Sequence, residues 1–586
     1  MGRNEVSQNR QVYSLSFSVH MNMAKPWLKN YPAGVPTEII LPLHASLVDI
    51  LDESFARYSK RTAIESMGQS FSYGELDRLS LQFASYLQSL NLPEGSRVAI
   101  MFPNVTQYLV AMLGVLRAGF AVVNINPLYT PRELEHQLND SQASALILSE
   151  NFAHIYQQIA GHTTLKQVIV SSLGDLLGPK GWIVNFVARY IQKMIPLWAF
   201  PHVRFTDSLK LGNQHPFRKP SINPNAIAFL QYTGGTTGIS KGATLLHRNI
   251  LANVLQTEAW IEPALHGKQE KQLVFLCALP LTHIFALTAC ALLGLRKGGL
   301  LLLVSNPRDI TGLIKLLDKH PDVNIFPGVN TLFHALVHRP EFKKLNLSNL
   351  LVTIGGGMAV QKKTADHWQE ITGNPIAQGY GLSETSPVVC VNTPLIKQFT
   401  GNIGLPLPST DVIILGEGGE RLPFGEVGEI CIKGPQVMAG YWNQPDENLT
   451  AFTSDGYFKS GDIGFMDSEG YITIVDRIKD MIVVGGFKVF PNEVEEVLAL
   501  MPGIHECAVV GVAHRKLGEI VKAYIVKDKH ELTSADVLQY CKEQMTSYKR
   551  PRKIVFVKEL PKSNVGKILR REVRKLEDPS NQDRHA

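Results

Sequence analysis

The chain has 586 residues, more than one hydrophobic core supports, so at least two domains are expected, and its 45% hydrophobic content is ordinary for a globular protein. With 58 basic against 52 acidic residues, the net charge of +6 lacks the strong basic excess of a nucleic-acid-binding protein, and nucleic acid is excluded as a partner. Cys277, Cys290, Cys390, Cys431, Cys507 and Cys541 are too scattered for a zinc site or a disulfide scaffold and predict reduced thiols in a reducing compartment.

Residues 1–23 are expected to form a disordered extension. Met1 to Asn22 lack the apolar centre of a secretory signal, and Val6 stands where a myristoylation pattern needs Ser or Thr. From Leu47 to Leu87 the pattern is largely helical. Short apolar runs then alternate with helical stretches at Val98 to Phe102, Ala121 to Ile125, Ala145 to Leu148 and Val168 to Val170, which predicts parallel sheet with helices on its faces.

Between Lys180 and Thr206 there is no acid. Trp182, Ile183, Phe186, Val187, Tyr190, Ile191 and Met194 share one helical face, opposite Asn185, Arg189, Gln192 and Lys193, and Trp198 and Phe200 follow. A basic amphipathic helix of this kind suits a peripheral membrane contact; the alternative is packing on its own domain.

The run Tyr232-Thr233-Gly234-Gly235-Thr236-Thr237-Gly238-Ile239-Ser240-Lys241-Gly242 concentrates backbone amides and hydroxyls that can hold phosphate. It follows an apolar strand, Ile227 to Leu230, and precedes a helix, His247 to Trp260, so the expectation is a strand, loop, helix cradle. It is not a Walker loop, because Lys241 follows Ser240 and precedes Gly242. The most apolar window, Phe285 to Val304, contains Arg296, Lys297 and glycines and reads as a buried helix and strand rather than a membrane span.

Further on, Leu350 to Ile354 precedes Gly355-Gly356-Gly357, and Pro375 to Ala377 precedes Gly379-Tyr380-Gly381. Both read as strands ending in glycine turns, where open α/β sheets gather their ligands. From about Val412 short β segments suggest a small β subdomain, including Gly428 to Lys433 and Tyr471 to Val475. After Lys479 a second α/β alternation begins. The expected division is a larger unit, 24–478, and a smaller one, 479–586.

Four segments add chemistry to the phosphate loop. In Tyr380 to Thr385, Glu384 beside Ser383 suits Mg²⁺ bridging nucleotide phosphates. In Gly456 to Asp462, the acid Asp462 could accept from both ribose hydroxyls, although an Asp in a β-turn reads equally well there. The others are Asp476 to Ile482, followed by Val484 to Lys488, and Pro561 to Arg571, which alone would read as a basic tail on a helix.

Together these motifs resemble the adenylate-forming superfamily of acyl-CoA synthetases, luciferases and peptide-synthetase adenylation domains, from about Ala24 to Lys575. Gly456 to Lys479 looks like the fatty acyl-CoA synthetase signature, and Asn126 to Leu134 looks like the bacterial long-chain fatty acid CoA ligases. The fold implied is α/β, a large N-terminal domain of two αβ sheet subdomains plus a β subdomain, with a small mobile α+β C-terminal domain. The activity implied is ATP-dependent conversion of a long-chain fatty acid to acyl-adenylate and then acyl-CoA, with Mg²⁺ as cofactor and ATP and CoA as co-substrates.

By the same resemblance Lys567 reaches between carboxylate and α-phosphate, and Thr233 and Glu384 stand at Mg²⁺. The loop Thr233, Gly234, Gly235, Thr236, Thr237, Gly238 and Lys241 holds the β- and γ-phosphates. Gly355, Gly356, Gly357 and Met358, with Gly379, Tyr380 and Gly381, flank adenine; Asp462 and Arg477 hold ribose. Lys479 is the hinge, and Gly485, Gly486 and Lys488 meet CoA after the small domain rotates, although Gly485-Gly486 also reads as a plain turn. His283 is a gate beside the substrate carboxylate, and apolar residues from Ile284 to about Leu295 with Val329 to Phe333 line the acyl tunnel.

Two positions depart from the family pattern: Ala359 stands where proline is common, and Lys488 where asparagine or arginine often stands. The expected location is the cytoplasm, with peripheral contact at the inner face of the cytoplasmic membrane, and a homodimer is admitted. Competing readings are transfer to a carrier protein instead of CoA, a ligase for medium-chain or aromatic acids, and a non-catalytic fatty-acid-binding protein.

Overall fold

The computed structural model describes residues 25–233, 240–265, 271–528, 531–563 and 566–576, so the expected 1–23 extension lies outside the described residues. Among the described residues there are four sheets.

The first sheet has seven strands, with Arg97–Met101 and Ala121–Asn124 at its centre. Its strands run parallel until the edge, where Ile227–Thr233 pairs antiparallel with Lys241–Leu246. That last pairing corrects the expected strand, loop, helix cradle. Ala243 and Leu245 are buried while Thr244 is less so, the period-two pattern of a strand. The phosphate-loop segment therefore joins the two arms of a hairpin, and the helix His247–Leu265 begins only after the second arm.

The second sheet has nine strands. Its centre is parallel, from Thr62–Ser66 through Leu300–Leu303, Val274–Cys277, Ile325–Gly328 and Val352–Gly355 to Ile376–Gly381. The segment read as largely helical from Leu47 to Leu87 is two helices, Leu47–Tyr58 and Tyr73–Ser89, separated by a hairpin of Thr62–Ser66 and Gln69–Ser72. The hairpin turn is Met67-Gly68, both at positive φ, and Ser72 caps the second helix through Glu75. Gly379, Tyr380 and Gly381 lie within the last parallel strand rather than in a turn beyond it, and a Cβ on Gly381 would collide with the Pro387 carbonyl.

The third sheet is the expected β subdomain, four antiparallel strands from Asp411–Leu415 to Ile472–Arg477. Lys479 follows in the short turn Ile478–Asp480. The fourth sheet, from Ile482 onward, closes its own cores around Val509, Ala523 and Ile525 on one side and Val510 and Tyr524 on the other. It is thus a smaller unit with an independent interior.

Phe285 to Val304 is a buried helical stretch, Ile284–Arg296 with a π turn at Leu287–Leu292, followed by the strand Leu300–Leu303. No helix of the described residues is long and apolar enough to cross a membrane. All six cysteines are buried, unpaired thiols. Burial pushes Cys277, Cys390 and Cys507 well above the usual thiol range, Cys431 to about 12 and Cys541 to about 11.

Candidate active site

Asp462 and Arg477 sit opposite each other on the strands Phe458–Met466 and Ile472–Arg477. The pairing places their side chains on one face, and Arg477 Nε donates to Asp462 Oδ1 at 2.8 Å. Tyr380, carried in from the second sheet, donates its hydroxyl to Asp462 Oδ2 at 2.7 Å. Asp462 is 3% exposed, and the guanidinium and the phenol occupy its two oxygens. Burial and then the Asp462 charge push the Tyr380 hydroxyl well up, keeping it a donor.

Glu384 lies in the turn Ser383–Thr385 that follows the Ile376–Gly381 strand. It is 8% exposed, and its Oε1 accepts from the Tyr441 hydroxyl at 2.8 Å. Burial raises its carboxyl, and the Tyr441 bond opposes the rise. The Met438 amide donates to the Glu384 carbonyl at 2.8 Å, which ties this turn to the segment carrying Tyr441. Tyr441 also faces Lys241, whose Nζ is 5.8 Å from the ring centroid and 2.6 Å from Glu447 Oε1.

Lys567 comes from the small unit, in a loop closed by its amide on Ser563 Oγ at 3.1 Å and by the Ser563 amide on its carbonyl at 2.8 Å. The Arg477 charge and then burial lower its ammonium to about 7, with Asp462 opposing. His283 caps the helix Ile284–Ala286, its Nδ1 accepting from the Phe285 amide at 3.3 Å. Burial and then the Lys567 charge lower its imidazole to about 4, so it is neutral at pH 7. Lys479 is lowered by burial and then by Arg477. These electrostatic couplings gather Asp462, Arg477, Tyr380, Lys567, His283 and Lys479 into one constellation, and the Arg477 charge also reaches Glu384.

Gly355 ends the strand Val352–Gly355, and a Cβ on Gly356 would meet Phe285 at 3.0 Å and the Gly379 carbonyl at 3.3 Å. The Gly355–Met358 segment therefore passes close beside Gly379, with Gly357 at φ +75°. Thr233 ends its strand beside Lys241, its register partner. Gly234, Gly235, Thr236, Thr237 and Gly238 lie outside the described residues.

Gly485 and Gly486 are not part of the cluster. They form the tight turn between Ile482–Val484 and Phe487–Val489, both at positive φ, and Lys488 is ion-paired with Glu417 in the turn that follows the strand Asp411–Leu415.

Two residues escape the sequence reading. Tyr441 has no motif signal beyond being an aromatic after Gly440. Arg570, within the stretch that alone would read as a basic tail, is a hub: its guanidinium reaches Glu495 at 2.7 Å, Asp476 at 3.4 Å and Asp480 at 3.5 Å, and also bonds Asn492. It joins the turn Ile478–Asp480 to the segment bearing Lys567. The alternation of acids at Asp476 and Asp480 with Arg570 ninety residues later is invisible without the fold.

A charged pair at the edge of one sheet, a carboxylate at the end of another and a lysine delivered by a separate unit define an α/β enzyme that handles a phosphorylated substrate. The chain belongs to the AMP-binding enzymes: that family's model matches residues 51–442, and the model of the AMP-binding enzyme C-terminal domain matches 493–567. Within the family it is similar to long-chain-fatty-acid–CoA ligases. The Escherichia coli O6:H1 protein of that name is 49% identical over 94% of this chain and 98% of the relative, and the one from Bacillus subtilis is 38% identical over the same shares. Among solved structures, ATP-bound MatB from Rhodopseudomonas palustris superposes with a TM-score of 0.78 at 28% identity, over 90% of this chain and 98% of that one.

Proposed function

We infer that the protein is an AMP-forming long-chain fatty acid CoA ligase: it converts a fatty acid and ATP to acyl-adenylate and pyrophosphate, and then transfers the acyl group to CoA with release of AMP. The observation that carries this reading is Lys567 entering from the small unit beside the Asp462–Arg477 pair.

Two anions must meet in the first step, so charge on the transferring phosphoryl group has to be neutralised, and preorganised electrostatics is the largest catalytic term in such sites. Lys567 takes that role between carboxylate and α-phosphate. A neutral His283 suits the neighbourhood, because a second fixed cation there would oppose Lys567. Asp462 accepts from ribose hydroxyls, with Arg477 and Tyr380 fixing its orientation. Gly355 to Met358 and Gly379 to Gly381 flank adenine, while Thr233 to Lys241 holds the terminal phosphates.

Glu384 fits a Mg²⁺ role: it is a nearly buried carboxylate raised by desolvation, the environment in which an approaching cation is most stabilising. Mg²⁺ held between Glu384, Thr233 and the triphosphate would neutralise phosphate charge.

CoA must approach where Lys567 stands, so the unit 479–586 turns about Lys479 between half-reactions, and Gly485, Gly486 and Lys488 then reach CoA. Exchange of the Lys488–Glu417 ion pair for a CoA phosphate is consistent with this, since an exposed pair is worth little.

The reading extends to a membrane. The helix Pro179–Phe186 and the π turn Val187–Ile191 turn their polar side inward: Asn185 Oδ1 accepts from the Gly174 amide at 2.8 Å, and Arg189 pairs with buried Glu150. Their apolar side faces out, with Trp182 86%, Ile183 66% and Ile191 65% exposed. An apolar surface on a segment without acids fits the inner face of the cytoplasmic membrane, where fatty acid partitions. Replacing Ile183, Phe186 and Ile191 together by serine weakens sedimentation with anionic liposomes; unchanged binding removes the membrane from the proposal.

The activity is tested by pyrophosphate release from Mg-ATP across acids from hexanoate to oleate, with and without CoA. Turnover with long acids only when CoA is present, giving AMP and acyl-CoA, is expected. A single burst that CoA cannot turn over contradicts the CoA acceptor, and silence with every acid contradicts the enzyme reading.

A further inference from the structure

The helix Asn330–Val337 receives the small unit at two points. Near its start, Gly566, next to Lys567, lies so close to Thr331 and Val329 that a Cβ there would collide with the Thr331 hydroxyl. Three residues further along, His334 meets His505 of the strand Ile504–His514, Nε2 to Nδ1 at 3.4 Å, with ring centroids 4.9 Å apart. One helix therefore seats both the catalytic lysine loop and an imidazole pair.

More imidazoles crowd the same junction. His338 packs at a tilt against His334, 4.3 Å between centroids, and is 6.1 Å from His367. His338 Nδ1 is 2.8 Å from the His334 carbonyl, so that nitrogen is the donor. Facing His334 are His338 at the end of its own helix, Lys363 on the helix Lys362–Thr372, His505 on the small unit's strand, and Lys562 beyond it, with His367 of the Lys362–Thr372 helix beside His338. The acid at the junction, Glu506, is already held by Lys562, with both oxygens at 2.7 Å. Among the described residues no three His, Cys, Asp or Glu side chains converge as metal ligands, which leaves the proton as the ligand this cluster suits.

We propose that His334, His338 and His505 form a proton-operated latch that holds the small unit against the helix Asn330–Val337 near neutral pH and releases it on acidification. The proposal goes beyond the ligase reading and rests on its claim that the small unit turns. Docked, the imidazoles share a junction already flanked by Lys363 and Lys562, so adding protons there is unfavourable. Burial first, then the His338, His505, Lys363 and Lys562 charges, lower His334 to about 4. Once the small unit has left, His505 and Lys562 leave with it and His334 returns towards an ordinary histidine near 6.5. The sign follows: the undocked arrangement binds more protons, so docking is complete above about 6.5 and weakens as pH falls towards 4. Between pH 6.5 and 5.0 the docked-to-undocked ratio falls on the order of tenfold. Lys567 adds little in that window, because it is already charged below about 7 even when docked.

Because all six native thiols are buried, spin labels on Lys343→Cys and Glu559→Cys, both exposed positions, report the distance between the units in the full chain. Two distances whose ratio falls on the order of tenfold from pH 6.5 to 5.0 are expected. In His334→Gln/His505→Gln the fall is less than threefold, and glutamine keeps the hydrogen-bonding capacity. A pH-independent ratio overturns the latch, as does an equal fall in the double variant. A response abolished by EDTA also overturns it, since a metal would then be the ligand. A single distance at every pH, with ATP, with acyl-adenylate and with CoA, overturns the turning of the unit itself, while two distances that respond to substrates but not to pH overturn the latch alone.

Discussion

Asp462 and Arg477 face each other across an antiparallel rung, joined at 2.8 Å, and the carboxylate's other oxygen is taken by Tyr380 at 2.7 Å. The carboxylate is thereby oriented from two sheets at once. Asp462→Asn keeps the shape but loses the charge that pairs with Arg477 and, in the proposed function, receives a ribose. A charged hydrogen bond contributes roughly 1.5–3 kcal/mol, so KM for ATP rises about 10- to 100-fold with an unchanged far-ultraviolet spectrum. A KM within twofold of the native value contradicts the ribose assignment.

Lys567→Ala should separate the half-reactions. Pyrophosphate release falls by about 10²–10³, the loss typical of one electrostatic group. Thioester formation from supplied acyl-adenylate and CoA stays within a few-fold. Equal losses in both steps would show that Lys567 acts otherwise.

The same lysine should titrate where lysines ordinarily do not. The Arg477 charge is the first cause of its lowering to about 7, so the free base predominates above that pH and the cation below it. After reductive ¹³C-methylation one resonance, absent in Lys567→Arg, titrates near 7 in the ligand-free protein. Arg477→Gln moves that titration upward; no movement contradicts the coupling.

Tyr441→Phe removes the hydroxyl that donates to the Glu384 Oε1 oxygen. Partners of a metal-binding carboxylate typically account for 10- to 100-fold in metal affinity. The Mg²⁺ concentration for half-maximal activity therefore rises about tenfold at saturating ATP, and Tyr441→Phe at high Mg²⁺ recovers most activity. A merely structural role lowers activity at every Mg²⁺ concentration alike.

Arg570→Ala strips the counter-charge from Glu495, Asp476 and Asp480 together. Breaking a buried ion pair by removing one partner costs about 3–5 kcal/mol. The loss appears in urea unfolding of the small unit; a change under 1 kcal/mol on the order of an exposed pair would mean that water already serves these acids.

The parallel strands were legible because burial on both faces leaves uninterrupted apolar runs, as at Val98 to Phe102 and Ala145 to Leu148. The short antiparallel arms were harder. Lys241 to Leu246 carries too few apolar residues to stand out from the glycine-rich run before it, and only its pairing with Ile227–Thr233 makes it a strand. Thr62 to Ser72 was hidden for a similar reason, its turn residues Met67-Gly68 being outweighed by the helices on each side. For the site, motif residues such as Asp462, Arg477, Glu384 and Lys567 carried local signals. Tyr441, Arg570 and the histidine junction carried none, because each depends on partners dozens to hundreds of residues away.

The burial of all six cysteines bears on the safety of the chemistry. An acyl-adenylate is a mixed anhydride that acylates any thiolate it meets, and a thiolate is what an exposed cysteine supplies at neutral pH. With Cys277, Cys390, Cys431, Cys507 and Cys541 shifted towards the inert thiol form inside the cores, the enzyme carries its activated intermediate without offering it a competing acceptor of its own. Self-acylation is suppressed by where the sulfur atoms are packed, and the incoming pantetheine is left as the sulfur nucleophile the intermediate encounters.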